Sequence, residues 1–173
     1  MQMLWANMTL HASADLPGLM RRWYEHLAID GFLMCTGLGP ATARELRAVY
    51  AALGWPLPTI DFIDMHDLGD ELVQAGFADP VMDMEVVTLT YDDFDAMLAE
   101  LRAAGSACAM KARRHGLTGR QAWAGARAGY EGLRCNGRLP ATFEIIYGHA
   151  WKAAPKQTPD GRAIVRFDLP RKG

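Results

Sequence analysis

Apolar positions change period several times along the chain, and each change marks a strand or a helix. Residues 3–8, Met-Leu-Trp-Ala-Asn-Met, form a short apolar run that predicts a strand ending in a polar loop at 7–11. Asp15 then precedes Leu16, Leu19, Met20, Trp23 and Leu27 at helical spacing, with Pro17 tolerated in the first turn. Ile29-Asp30-Gly31 stops that helix. Residues 32–36 predict a second strand, and Leu46, Val49, Tyr50 and Leu53 predict a helix over 41–53. Residues 54–63 carry Pro56 and Pro58 among isolated apolar positions and predict an irregular connection.

The stretch 64–91 supplies the next helix and strand. Asp67 is expected at the N-cap, with Asp70 and Glu71 in the first turn, Leu68, Leu72 and Ala75 on one face, and Gly76 as the stop. Pro80 suits the entrance of a strand, and the nearly continuous apolar run 84–89 predicts a strand covered on both faces. An Asp-capped helix with Phe94, Met97, Leu98 and Leu101 follows, stopped by Gly105, and then a basic loop. Trp123, Ala126, Tyr130 and Leu133 predict a helix over 119–135, Asn136-Gly137 a turn, and 139–151 a final strand with Phe143, Ile145, Tyr147, His149 and Trp151 on one face. Residues 153–173 read as a loosely held basic tail, with a small hairpin about Pro159-Asp160-Gly161. The whole describes an α/β domain over 1–152, in which a two-helix insertion links the last two of four strands.

The net charge of −2 conceals a polarity. Residues 1–100 hold 16 acids and 4 bases, and residues 101–173 hold 4 acids and 14 bases, so the two parts carry −12 and +10. One explanation is mutual neutralisation within a single domain. The other is a cationic face made by Lys111, Arg113, Arg114, Arg120, Arg127, Arg134 and Arg138 for an acidic partner. Few aromatic residues are interleaved with those bases and no nucleic-acid motif accompanies them, which argues against nucleic acid. The chain has no apolar run of membrane-spanning length and no basic-then-apolar leader, so a soluble cytoplasmic protein is expected. Cys35, Cys108 and Cys135 are odd in number and far apart, which predicts buried reduced thiols. Asp61, Asp64, His66, Asp67 and Asp70 serve capping better than metal binding, and no metal is expected.

Four segments taken in order carry a resemblance. They are Leu4-Trp5-Ala6-Asn7-Met8-Thr9-Leu10-His11, Asp30-Gly31-Phe32-Leu33-Met34-Cys35-Thr36, the stretch 64–91 with His66-Asp67-Leu68-Gly69-Asp70 and Ala78-Asp79-Pro80-Val81-Met82-Asp83-Met84-Glu85, and 139–151 ending in Tyr147-Gly148-His149-Ala150-Trp151. Over residues 3–152 they resemble the later half of the malonyl-acyl-carrier-protein O-methyltransferases of biotin synthesis, a class I S-adenosylmethionine-dependent family. The resemblance implies a partial Rossmann-like methyltransferase sheet, strands four to seven, with helices on both faces and strand seven antiparallel between five and six. It also implies that the first three strands, the glycine-rich turn and the ribose-holding acid lie upstream of this match. Gly37-Leu38-Gly39 is followed by Pro40 and does not replace that turn.

Two functional readings follow. In the first, the chain belongs to a biotin-synthesis-type O-methyltransferase acting on the carboxylate of a malonyl thioester, lacks the S-adenosylmethionine-binding half, binds that cofactor weakly or not at all, and is inactive alone. In the second, it is a non-catalytic methyltransferase-like binding or dimerisation module. The first makes Asn7 and His11, at the end of the first strand, candidates for the cofactor, with loop capping as their structural alternative. Tyr147, His149 and Arg138, or Arg44, are candidates to hold the acceptor carboxylate, with a hydrogen-bonded core pair and solvated arginines as the alternative. Lys111, Arg113, Arg114, Arg120, Arg127 and Arg134 would face an acidic acyl carrier protein. No catalytic acid–base pair is assigned, because a carboxylate acceptor is already ionised at neutral pH. Either reading leaves the strand at 3–8 as an apolar edge, and a symmetric homodimer through that edge is expected.

Overall fold

The computed structural model describes residues 1–103, 113 and 116–155. The expectations for Gly105, Cys108, Lys111, Arg114 and the hairpin at 159–161 lie outside these residues. Four strands and five helices follow one another as β1 (Met3–Ala6), α1 (Leu16–His26), β2 (Phe32–Leu38), α2 (Arg44–Ala52), α3 (Met65–Gln74), β3 (Ala78–Tyr91), α4 (Phe94–Ala103), α5 (Arg120–Glu131) and β4 (Leu139–Trp151). The sheet order is β1-β2-β4-β3. β1 and β2 are parallel, whereas β4 runs antiparallel to both of its neighbours. The last strand is therefore inserted between the second and third, as the resemblance implied.

Local chemistry accounts for most of the boundaries. The Asp15 carboxylate accepts from Gly18 N at 2.9 Å and caps α1, and Asp93 accepts from Ala96 N at 2.8 Å at the start of α4. The cap of α3 is Asp64, which accepts from His66 N at 2.8 Å, while Asp67 sits inside the first turn. The expected start at Asp67 is thus three residues late: an acid suits the first turn as well as the cap, and spacing alone does not separate them. Gly76 takes a φ of +105° to turn the chain from α3 into β3. Asn136 and Gly137, both at positive φ, make the tight turn into β4.

Two apolar clusters flank the sheet. Met20 of α1, Leu27 just after it, and Leu68 and Leu72 of α3 pack on Leu33, Cys35, Ile146 and Ala150. At the other end of β4, Leu139 and Ala141 join residues of α2, α4 and α5, including Val49, Phe94 and Tyr130. Neighbours in a strand point to opposite faces, so the two clusters lie on opposite sides of β4. β3 departs from expectation. It is an outer strand paired only with β4, and Met84, Val86 and Leu89 are exposed rather than covered on both faces. Pro80 falls where the register shifts between Ala78 and Val81, which spares the ladder a missing donor. Cys35 is buried, but Cys135 is exposed in the turn before β4, so the expectation of uniformly buried thiols fails there.

Gly148 is required by the close approach of β2. A Cβ at that position would lie 2.8 Å from Cys35 Sγ inside the packed sheet. Gly148→Ala is expected to lower the unfolding free energy by about 1–3 kcal/mol in urea titration, as overpacking does. Burial also pushes the Cys35 thiol from 9.0 up to about 12. At pH 8 Cys135 should react with iodoacetamide while Cys35 reacts only on unfolding, as peptide mapping would show.

Candidate functional site

A cavity of about 400 Å³ opens beyond the carboxyl ends of β1 and β2. Its walls are mostly apolar: Leu38 from the end of β2, Leu46 from α2, Phe62 from the irregular connection, Leu98 from α4, Trp123 from α5 and Phe143 from β4. Leu38 pairs with Ile145 across the ladder, and Phe143 lies two residues further on. The cavity therefore sits on the sheet face that α4 and α5 cover at one end.

Two polar atoms break this apolar lining. Thr59 is 5% exposed, and its Oγ1 has no hydrogen-bond partner. His11 Nδ1 is likewise buried and unpartnered, and both residues line the cavity. An unmade bond on a buried polar group costs about 1–3 kcal/mol, which a hydrogen-bonding partner reached by a side-chain rotation would offset. Arg102, exposed at the rim, is the cation among the lining residues and pairs with no acid among the described residues.

The backbone around the cavity is constrained as well. Met8 and Ala43 line it and hold φ values of +53° and +54°, where a side chain costs about 1–3 kcal/mol. Ala43 is fixed by its N–H, which donates to Thr142 O at 2.7 Å. The adjoining Glu45 carboxylate accepts from Thr142 N at 3.0 Å and from the Thr142 hydroxyl. Buried Glu144 accepts from Ala41 N at 2.7 Å. The β2–α2 corner is thus tied to β4 by carboxylate, hydroxyl and backbone hydrogen bonds in addition to apolar packing of Ala43.

The residues singled out from sequence are not gathered at this cavity. His11 reaches it. Asn7 instead lies against the other part of the sheet face, where its Oδ1 accepts from the Thr36 hydroxyl at 2.6 Å while that hydroxyl accepts from Met8 N at 2.8 Å. Tyr147 donates to Glu85, and this bond to a carboxylate raises its phenol pKa. His149 packs edge-on against Phe32 and Trp151, at centroid distances of 5.5 and 5.2 Å. Arg138 is held by Asp92 and by Thr90 O at 2.7 Å, and Arg44 by Glu45 at 3.4 Å. Arg127 meets Asp95 at 2.6 Å, and Arg134 meets Glu131 at 2.6 Å and Asp92 O at 3.0 Å. Arg113 and Arg120 are exposed. Asp95 and Asp92 come from the acidic part of the chain, so for Arg127 and Arg138 internal neutralisation accounts for the charge polarity. Sequence reasoning missed Thr59 and Arg102. Thr59 lies in a segment without periodicity, where no pattern says which polar residue turns inward.

The fit of the β2–α2 turn to an S-adenosyl cofactor can be tested at Gly37, inside β2, and Gly39, just after it. A Cβ on Gly37 would meet Leu10 Cδ1 at 2.8 Å, and one on Gly39 would meet Glu144 Oε1 at 2.5 Å. Those glycines make room for a leucine and a carboxylate, not for a cofactor.

Curated relatives match almost the whole chain. The malonyl-[acyl-carrier protein] O-methyltransferase of Gallionella capsiferriformans is 45% identical over 166 residues, which is 96% of this chain and 57% of the relative. That of Laribacter hongkongensis is 44% identical over 170 residues, with the same two shares. The chain thus spans little more than half the length of the relatives it matches. A provisionally assigned methyltransferase of Bacillus halodurans shares the fold at a TM-score of 0.55 and 12% identity, over 88% of this chain and 64% of that one. No protein-family model matches the chain.

The unpartnered hydroxyl gives a direct prediction. Thr59→Val removes the orphaned group at nearly constant volume, so the ligand-free protein should gain about 1 kcal/mol, or roughly 2–4 °C in melting temperature by calorimetry. A loss of stability would mean that the hydroxyl is satisfied in solution.

Proposed function

We propose that this chain, a homologue of the C-terminal half of the malonyl-[acyl-carrier protein] O-methyltransferases, is the acceptor-binding side of an S-adenosylmethionine-dependent O-methyltransferase of the biotin-synthesis type. The acceptor would be the free carboxylate of a malonyl thioester, presented by an acyl carrier protein. The observation that carries this reading is the apolar cavity with buried, unpartnered Thr59 Oγ1 and His11 Nδ1 and with Arg102 at its rim.

A malonyl thioester is an anionic carboxylate, a short methylene and a polar carbonyl. The carboxylate is ionised at neutral pH, with an ordinary pKa near ~4, and its oxygen is already nucleophilic. No side chain has to remove a proton from it. What the protein must supply is a fixed orientation and a site from which water is excluded. The walls made by Leu38, Leu46, Phe62, Leu98 and Phe143 serve the second need. Arg102 offers a charge-assisted bond to the carboxylate, and the Thr59 hydroxyl and His11 Nδ1 offer partners to the thioester carbonyl. His11 would donate from its Nδ1–H tautomer.

In this reading the methyl donor would be held by residues outside those described, and the chain alone is expected to be inactive. Carrier docking would use the exposed cations near the cavity, Arg102 and Arg120, because Arg127, Arg134 and Arg138 are already engaged.

Trp123 in the cavity wall provides a readout. Titration with S-malonyl-N-acetylcysteamine should change tryptophan emission saturably, and Trp123→Phe should abolish the signal. Arg102→Ala and Thr59→Val should each weaken binding by about 5- to 30-fold, the loss of one hydrogen bond to a charged or buried partner. Equal binding of the acetyl analogue, which lacks the carboxylate, would contradict the assignment.

A further inference from the structure

The cavity is larger and more apolar than a malonyl thioester requires. A malonyl group has one methylene between two polar ends, whereas Leu38, Leu46, Phe62, Leu98, Leu101 and Phe143 surround a space of about 400 Å³. The hydroxyl of Thr42, which also lines it, is committed elsewhere: it donates to Glu144 O at 3.2 Å and accepts from Glu144 N at 3.1 Å. Thr59 Oγ1 and His11 Nδ1 are two polar atoms, too few for the amides of a carrier arm in addition to a thioester carbonyl. Most of the volume therefore suits methylene groups, and Arg102 at the rim suits an anion. A dry apolar cavity of about 150 Å³ takes the six carbons of benzene, so a space of this size, open at its rim, holds a saturated chain of roughly 8–12 carbons.

We propose that the cavity binds a saturated monocarboxylic acid of medium chain length, with the carboxylate on Arg102 and the alkyl chain against the leucine and phenylalanine walls. Such an acid competes with the malonyl acceptor, because both place a carboxylate on Arg102. The competition rests on the acceptor reading above, whereas binding of the acid does not. Chain length is read by the far wall. Leu38 and Phe62 also line a second cavity, of about 290 Å³, together with Leu10, Leu16 and Ile60. Phe62 is buried between the two, so it sets how far a chain can extend. Leu101, half-buried on α4, sets the width nearer Arg102.

The test is calorimetric titration of the full 173-residue chain with the even-numbered acids from butanoate to tetradecanoate. Affinity should rise about 3- to 4-fold per added methylene, and level off by dodecanoate. Arg102→Ala should weaken every member by about 5- to 30-fold. Octanol, which lacks the charge, should bind the unaltered chain about as weakly as octanoate binds that variant. Leu101→Phe should bring the plateau about two carbons earlier, and Phe62→Ala, which joins the two cavities, should move it to longer chains. Leu101→Phe keeps the test decisive if Phe62→Ala does not fold. A series that is flat in chain length would overturn the proposal. So would one that still climbs through tetradecanoate and ignores Arg102 and Leu101, since that is adsorption to exposed apolar surface. Octanoate should also displace S-malonyl-N-acetylcysteamine. If the malonyl thioester binds and octanoate does not displace it, this proposal falls and the acceptor reading stands; if the acids bind as expected and the malonyl thioester does not, the acceptor reading falls and this one stands.

Discussion

β4 hydrogen-bonds along both of its edges, and the placement of everything else follows from that double ladder. It pairs antiparallel with β2 from Phe32 to Leu38 and with β3 from Ala78 to Tyr91. A strand bonded on both sides cannot slip by one residue without turning its buried row, Ile146, Gly148 and Ala150, to the opposite face. The same register puts Phe143 against the cavity, and Tyr147, His149 and Trp151 on an exposed apolar face. It also brings Thr142 and Glu144 to the β2–α2 corner, where Glu45, Ala41 and Ala43 bond to them. One strand therefore positions both the cavity wall and the exposed apolar face.

The cavity is mostly apolar, and we read it as an acceptor pocket rather than as a catalytic centre. Its lining contains no acid–base pair, and carboxylate methylation requires none. Its distinctive features are two buried polar atoms left unpaired and two residues held at positive φ, all on segments that join the sheet to α1, α2 or α3. These are costs carried by connecting segments and offset by the packed clusters on either side of β4. The glycines after β2 are occupied by Leu10 and Glu144, so that corner is a structural joint.

Much of the architecture could be read from hydrophobic periodicity and turn residues. The Asp15 cap, the Asn136-Gly137 turn and the alternation over 139–151 each specify a local geometry that tertiary contacts do not override. The insertion of β4 between β2 and β3 was not a matter of periodicity and came from the resemblance alone. The exposure of β3 was misjudged because an apolar run such as 84–89 looks the same whether or not a neighbour covers it. The candidate site was less legible. His11 reaches the cavity, but Tyr147 and His149 share a strand face with Phe143 and lie beyond the helices that enclose it. Thr59 and Arg102 could not be found from the chain order, since nothing in a proline-rich connection or at a helix end marks a residue as facing a cavity. Whether the arginines formed a free cationic surface depended on contacts between distant segments, such as Arg127 with Asp95.

We propose that this chain is an acceptor-side half that needs a second segment to hold the cofactor. Calorimetric titration of the chain with S-adenosylmethionine, and with its demethylated product, tests this most directly. The account predicts no saturable heat below about 1 mM, a binding free energy weaker than about −4 kcal/mol. Saturable binding in the micromolar range would contradict it, because the chain would then hold the methyl donor without a second segment.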